Sequence, residues 1–355
     1  MAAASNILDH CLNLYFAATS WRTELQYAAL LRDARAILDF NAPAGLSVAV
    51  GKSVSPVLRS HYSIGLPSSG SIGFLATSVP LHFSAPPPPE GGSHSALQGN
   101  TKAQSSAILD AAASELKIVQ GTKPDAVVGS YLMYGRLFRD RRLEYVLARR
   151  LTQNTLVSMS GVSSWRPEQS FVHYNIATSR DSWGHEFCFS SEAAMFGFRA
   201  MRTVTGNFAI GGELYYLANE VSGGMSLGAR HASKYATTTV SANPILGHVS
   251  TSYTTWVLPG LRGACRYDYN VHSFESNLSV GVAYSPNADC RTSLSALETA
   301  STPGQPGTLI KVRYGIARGL ALIYQQCWGA LGVQLGVEAS GKSGTLGLDV
   351  SYTLN

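Results

Sequence analysis

Gly336-Val337-Glu338-Ala339-Ser340-Gly341-Lys342-Ser343 matches the G-x-x-x-x-G-K-S pattern that cradles nucleotide phosphates. That chemistry needs a helix opening at the Lys-Ser, so that its first amides point at the phosphates. Only twelve residues remain from Gly344 on. Among them Leu346, Leu348, Val350 and Tyr352 alternate with Gly347, Asp349, Ser351 and Thr353. Strict alternation is the period of a strand, so the pattern is expected to be a hairpin turn between two strands.

Other residues with chemical potential fare similarly. Asp181, His185 and Glu186 cluster in sequence as metal ligands do, although a solvated turn explains them more simply. Asn277-Leu278-Ser279 is a glycosylation sequon, but it lies inside an alternating segment. The nine histidines include no His-x-x-x-His pair, and no nucleophile elbow or carboxylate pair sits on rigid neighbours. Neither an enzyme, a metal nor a cofactor is expected.

Composition turns attention to the elements. Charged residues are 14% of the chain, well below the roughly 25% of soluble domains. Hydrophobic residues are 45%, and Ser, Thr, Gly and Tyr stand where Lys and Glu would coat a soluble sheet. No run approaches the ~18 apolar residues of a transmembrane helix, and Met1 to Asn6 show no secretory pattern. The five cysteines are scattered without a Cys-x-x-Cys, so no disulfide framework is expected. A net charge of +5 is mild, and no basic cluster interleaves with aromatics, so no nucleic acid is expected as a partner. A closed barrel in lipid fits these features, because closure satisfies every backbone hydrogen bond without helices.

Residues 1–43 differ from the rest. Thr23-Glu24-Leu25-Gln26 resembles a capping box, and Leu25, Leu31, Ala34 and Leu38 follow at helical spacing, predicting one helix that ends at Asn41 and Pro43. An earlier amphipathic stretch runs through Ile7, Leu8, Cys11, Leu12 and Tyr15. This segment is expected in the barrel lumen. From 44 to 355 the alternation marks nineteen strands, each near the roughly 9–11 residues that cross a bilayer. Long loops are expected at about 84–128 and 286–307, with a short helix near 107–119, and both loops leave the same face. Arg139-Asp140-Arg141-Arg142 reads as a solvated connection.

Thr345, Gly347, Val350 and Tyr352 have the spacing of the C-terminal β-signal of mitochondrial outer-membrane barrels, which an amphipathic strand can also match by chance. Longer stretches carry a wider likeness: Ser20-Trp21 to Phe40, Tyr134-Gly135-Arg136, Gly212-Glu213-Leu214-Tyr215-Tyr216, Ser222 to Arg230, and Arg266-Tyr267-Asp268-Tyr269-Asn270-Val271-His272. Taken in order, they resemble the fungal mitochondrial distribution and morphology protein 10 family.

The resemblance implies an all-β transmembrane, porin-type 19-stranded barrel with its first and last strands parallel and an N-terminal helix in the pore. It implies residence in the mitochondrial outer membrane and two memberships. One is the ER–mitochondria encounter structure, with SMP-domain lipid-transfer subunits and phospholipid exchange. The other is the outer-membrane sorting and assembly machinery, through whose core subunits barrel proteins and preprotein translocase components are assembled. Two partner patches follow. A tether-side Tyr-Leu-Tyr corresponds here to Phe74-Leu75-Ala76, which keeps one aromatic anchor and loses the other. An assembly-side aromatic pair falls on Tyr267 and Tyr269, which would equally suit a lipid-facing band.

The expectation is therefore a non-enzymatic membrane anchor, with a channel for metabolites or preproteins as the alternative. A channel wants a charge-lined bore, and few lumen charges stand out beyond Arg266, Asp268, Lys311 and Arg313. A soluble sandwich is the third class.

Overall fold

The computed structural model describes residues 11–66, 69–81, 128–166, 169–286, 307–340 and 343–354. Every alternating segment forms a strand. The first seven are β1 (Gly45–Ser55), β2 (Leu58–Leu66), β3 (Ser69–Thr77), β4 (Tyr131–Phe138), β5 (Leu143–Arg150), β6 (Thr155–Ser163) and β7 (Phe171–Arg180). Six more follow: β8 (Trp183–Ser190), β9 (Met195–Thr205), β10 (Phe208–Leu217), β11 (Ser222–Ala232), β12 (Ala236–Asn243) and β13 (His248–Leu258). The last six are β14 (Leu261–Asn270), β15 (Ser276–Tyr284), β16 (Gly307–Gly315), β17 (Gly319–Trp328), β18 (Leu331–Ser340) and β19 (Ser343–Leu354).

Consecutive strands pair antiparallel all the way round, and β1 closes on β19 in parallel, from Gly45↔Gly347 to Lys52↔Leu354. The parallel seam follows from the odd count, since an up-and-down walk of nineteen strands ends pointing the way it began. Closure removes both sheet edges, which a bilayer would otherwise leave without hydrogen-bond partners. This is a porin-type all-β barrel.

Turns after even-numbered strands gather at one end, called here the even end, and turns after odd-numbered strands at the odd end. The β3–β4 and β15–β16 connections both leave from the odd end. Residues 82–127 and 287–306, including the helix expected near 107–119, lie outside the described residues.

Register assigns the faces. On β8 to β10, for example, Phe187, Phe198 and Leu214 line up outward, while Glu186, Arg199 and Glu213 line up inward. The outer wall carries large exposed apolar residues on every sector, such as Ile64, Ile72, Tyr253, Tyr314 and Leu346, and among the described residues no second layer covers them. Among the described residues no helix is long and apolar enough to cross a membrane, so any crossing is made by strands.

The earlier amphipathic stretch is helical over its described residues, whereas the part from Thr23 to Asn41 departs from the single helix its spacing predicts. Residues 11–18 form α1, two single 3-10 turns follow at Thr23–Leu25 and Tyr27–Ala29, and α2 spans only Arg32–Leu38. Thr23 makes no cap; its hydroxyl accepts a hydrogen bond from Arg32 Nη1 at 3.1 Å. Contacts with the barrel wall break the helix. The Glu24 carbonyl is taken by Arg230 at 2.8 Å, and the Tyr27 hydroxyl meets Ser226 Oγ at 2.7 Å. Tertiary partners outweigh propensities worth a few tenths of a kcal/mol, roughly, per residue.

Candidate functional site

The phosphate-loop pattern is a hairpin. β18 runs through Gly336 to Ser340, β19 starts at Ser343, and Ser340 pairs with Ser343 across a two-residue connection. Gly341 and Lys342 lie outside the described residues. With no helix after the turn, no row of amides is available for a phosphate. Lys342→Ala is expected to leave barrel assembly unchanged, with no ATP binding before or after substitution; ATP affinity abolished by this change would overturn the assignment.

The Asp181, His185 and Glu186 cluster comes apart on folding. Asp181 turns the chain between β7 and β8 with φ at 34°, and its carbonyl accepts from Arg22 Nη1 at 2.9 Å. His185 faces outward between the rings of Trp183 and Phe198, with centroids 5.9 and 6.1 Å away. Glu186 faces inward, 3.8 Å from Arg199. Among the described residues no three His, Cys, Asp or Glu side chains are placed to hold a metal ion. Asn277 lies in β15, its Oδ1 accepting from the amide of Ala317 at 3.3 Å.

The outer wall holds the aromatic candidates. Tyr267 and Tyr269 share one face of β14, their rings stacked with centroids 6.5 Å apart and planes 7° from parallel. Tyr267 pairs with Thr251 and Leu278 on either side, and it is 45% exposed. Arg266 and Asp268, which alternate with them, face inward and pair at 3.2 Å. On β3, Phe74 is half exposed and Ala76 shares its face, whereas Leu75 is buried on the lumen side. The Phe74 ring lies across Gly135 of β4, where an added Cβ would come within 2.7 Å of it. Phe74 therefore also covers a glycine in the wall. In β19, Val350 and Tyr352 face outward across the seam from Val48 and Val50, while Thr345 and Gly347 hold lumen-side positions. Gly347 is the point where the N-terminal segment enters the wall, and a Cβ there would collide with the Pro43 carbonyl.

The lumen is filled and far more charged than its sequence suggests. Arg136, Arg150, Glu186, Arg199, Glu213 and Arg262 point inward as well as Arg266, Asp268, Lys311 and Arg313. They were hidden because they occur one or two per strand, with no local run to mark them; counting parity along each strand finds them.

Several hold the N-terminal segment. Arg266 makes a two-pronged contact with Asp39, at 2.7 and 2.9 Å, and Arg318 adds a third bond at 2.7 Å. Lys311 donates to the Ala36 carbonyl and Arg313 to the Leu38 carbonyl, each at 3.0 Å, so wall cations satisfy the C-terminal end of α2. Burial alone would raise the Asp39 carboxyl, but hydrogen bonds and charge from Arg266, then Arg318, outweigh it and hold the group below the ordinary carboxylate range.

At the other side α1 sits on an apolar layer. Cys11, Tyr15 and Trp21 pack with Leu75, Leu132, Tyr134 and Val146, all lumen-facing. The Tyr15 hydroxyl donates to the Ser130 carbonyl at 3.0 Å, and Arg150 donates to the carbonyl of Thr19. Burial pushes the Cys11 thiol up to about 12, so it stays protonated and serves as packing. Between the two sides remains a cavity of about 260 Å³, bounded by Tyr27, Leu31 and Arg35 on the segment and by Arg199, Glu213 and His248 on the wall.

The arrangement offers an apolar outer wall, a fixed interior segment and outward aromatic patches, which suit anchoring in lipid and docking. The family model for mitochondrial distribution and morphology protein 10 matches residues 5–305. A relative of that name from Phaeosphaeria nodorum is 27% identical over 308 residues, covering 78% of this chain and 77% of the relative. One from Coprinopsis cinerea is 23% identical and covers 97% of this chain and 98% of its own. A third, from Yarrowia lipolytica, is 28% identical and covers 77% and 82%.

Proposed function

Because the chain belongs to the mitochondrial distribution and morphology protein 10 family, we propose that it is a mitochondrial outer-membrane barrel that anchors the ER–mitochondria encounter structure and serves the sorting and assembly machinery. Family membership supports a role in mitochondrial distribution and morphology, and the closed barrel supports one exercised from within a membrane. In the encounter structure its partners are SMP-domain lipid-transfer subunits, and phospholipid exchange is the process served. In the assembly machinery its partners are the core subunits, with barrel proteins and preprotein translocase components as the products.

The observation that carries this reading is the outer wall. Apolar side chains face outward around the whole circumference with nothing among the described residues to cover them, and roughly 25 cal/mol per Å² of that surface is recovered only in lipid or against protein. The protein is expected to stay in the membrane pellet after carbonate extraction; release into the supernatant would remove the basis of the proposal.

The stacked pair Tyr267 and Tyr269 supports a docking role, since outward aromatic anchors often dominate interface energy while contributing little to the barrel. Ala at both positions is expected to reduce co-purification of assembly-machinery subunits while tether subunits remain. Changing Phe74 does the reverse, more weakly, because Ala76 already lacks an aromatic ring and Phe74 also covers Gly135. Loss of both sets of partners together from the Tyr267→Ala, Tyr269→Ala variant would show that the tyrosines support the wall instead.

A channel is the second reading, favoured by the residual cavity beside Arg199 and Glu213. The bonds that tie Asp39, Ala36 and Leu38 to the wall weigh against it, because they hold the segment across the bore.

A further inference from the structure

Inside the barrel Arg136, Arg150 and Lys311 donate to hydroxyl or carbonyl oxygens, while three other cations meet carboxylates: Arg199 with Glu213 at 2.6 Å, Arg266 with Asp39 at 2.7 Å and Arg313 with Glu338 at 2.7 Å. Cations on one sector of the outside do not. Arg149 on β5, Arg180 on β7, Arg202 on β9 and Lys234 in the turn after β11 are all exposed, and none forms an ion pair with a carboxylate among the described residues. All four lie at the odd end of consecutive odd-numbered strands.

Register places three residues of this rim side by side on the outer face. Arg180 pairs with Trp183 and Trp183 pairs with Arg202 across β7, β8 and β9. The Arg202 guanidinium stands 4.5 Å from the centre of the Trp183 ring. Lys234 is similarly placed over Tyr235, at 5.1 Å. Below the rim, toward the middle of the wall, the outward residues are Ile176, Phe187 and Phe198.

The opposite rim of the same strands is different. Its outward strand residues are Leu143, Phe189, Phe196 and Tyr216, and Phe189 and Phe196 pack ring to ring at 5.0 Å. The arginines at that end, Arg139, Arg141 and Arg142, lie in the β4–β5 connection beside Asp140 and Glu144, with Arg142 3.6 Å from Glu144. The acid at the cationic rim is Asp181, in the turn between Arg180 and Trp183, so four cations face one carboxylate. Such an imbalance at the edge of an apolar wall is complementary to anionic headgroups.

We propose that Arg180, Trp183 and Arg202 form a binding site for an anionic phospholipid headgroup, with Arg149 and Lys234 extending it along the rim. The two guanidiniums flank the ring and donate paired N–H bonds to phosphate oxygens, a geometry that lysine at these positions would not reproduce. The indole sits at headgroup depth, and the acyl chains lie against Ile176, Phe187 and Phe198. The site rests on the proposed lipid embedding of the barrel, and it makes the leaflet at the odd end the one richer in anionic lipid around this sector.

The test uses the full chain inserted into vesicles of phosphatidylcholine mixed with phosphatidylinositol, with retained lipids counted by native mass spectrometry. The wild-type barrel is expected to retain phosphatidylinositol in preference to phosphatidylcholine. Each cation near an anionic surface contributes roughly a 5-fold preference, so the Arg180→Gln, Arg202→Gln variant should lose the preference by roughly 10- to 30-fold. The single Arg202→Gln variant, a lighter change on an exposed side chain, should lose roughly 5-fold. Inserted barrels that hold both lipids equally, with or without the arginines, would overturn the site and leave the membrane reading standing. Displacement of the lipid by inorganic phosphate would overturn a lipid headgroup as the ligand. A chain that never enters the vesicles would overturn the membrane reading, and this site with it.

Discussion

Leu335→Arg is expected to prevent stable assembly of the barrel, whereas Gln334→Arg, one residue earlier, leaves it intact. Leu335 lies on the outer face of β18, 42% exposed, paired with Tyr324 and Leu348 of the neighbouring strands. Gln334 points into the lumen opposite Gln325 and Asp349. A cation on the lipid face near the midplane costs roughly 2–4 kcal/mol, falling toward zero at the interfaces. Against a total stability of roughly 5–15 kcal/mol, that is a large fraction from one side chain. Val350→Arg and Ser351→Arg form a second matched pair on β19, Val350 outward and Ser351 inward. The readout is the urea midpoint of the refolded barrel in vesicles. Similar losses from both members of a pair would mean that the two faces are misassigned, or that the lumen is too tightly packed at those positions to take an arginine.

The second large effect is expected at Asp39. Asp39→Asn leaves Arg266, whose side chain is only 10% exposed, with the nearby Asp268 alone to balance its charge. Removing one member of a buried ion pair costs roughly 3–5 kcal/mol. Because Asp39 is itself a quarter exposed, the lower end, about 3 kcal/mol, is expected here. That loss falls on the docking of the N-terminal segment more than on the strands, which keep their ladders. Added protease should therefore cut the variant between α1 and β1 while the barrel survives, and single-channel conductance should rise above that of the wild type. An unaltered conductance and protection pattern would show that the segment is held by its apolar contacts alone.

The same contact carries a pH dependence with a definite sign. The folded Asp39 carboxyl titrates below its ordinary range, so its contribution is fully present above the ordinary carboxylate pKa. It is lost only as pH falls through the lowered folded value. Docking of the segment should consequently persist through mildly acidic solution and fail in strong acid.

How much of this was legible in the chain depends on the range of the interactions. Strand count, facing and the Ser340–Ser343 hairpin come from alternation, a property of neighbours in sequence, and the structure keeps them. The same parity puts Tyr267 and Tyr269 on one face with Arg266 and Asp268 on the other. The breakup of the Thr23 to Asn41 helix into two 3-10 turns and α2 was not legible, because Arg230, Ser226 and Arg32 impose it, and the first two lie about 200 residues away. Nor was the packed apolar layer under α1. Its signal was present, since Tyr131-Leu132-Met133-Tyr134 is apolar at both parities, but that marks two buried faces without naming what covers the inner one. The lumen carboxylates Glu186, Glu213 and Glu338 likewise acquire meaning only beside the arginines that folding brings to them. The docking roles of Phe74, Ala76, Tyr267 and Tyr269 rest on facing and family likeness, and partner capture decides them.

The most direct test of the central claim is purification of the tagged protein from native mitochondrial outer membrane, with co-purifying proteins identified and quantified. Two separable sets are expected: SMP-domain subunits of the ER–mitochondria encounter structure, and core subunits of the sorting and assembly machinery. A barrel recovered from that membrane with neither set, behaving as a free conducting pore, would contradict the account.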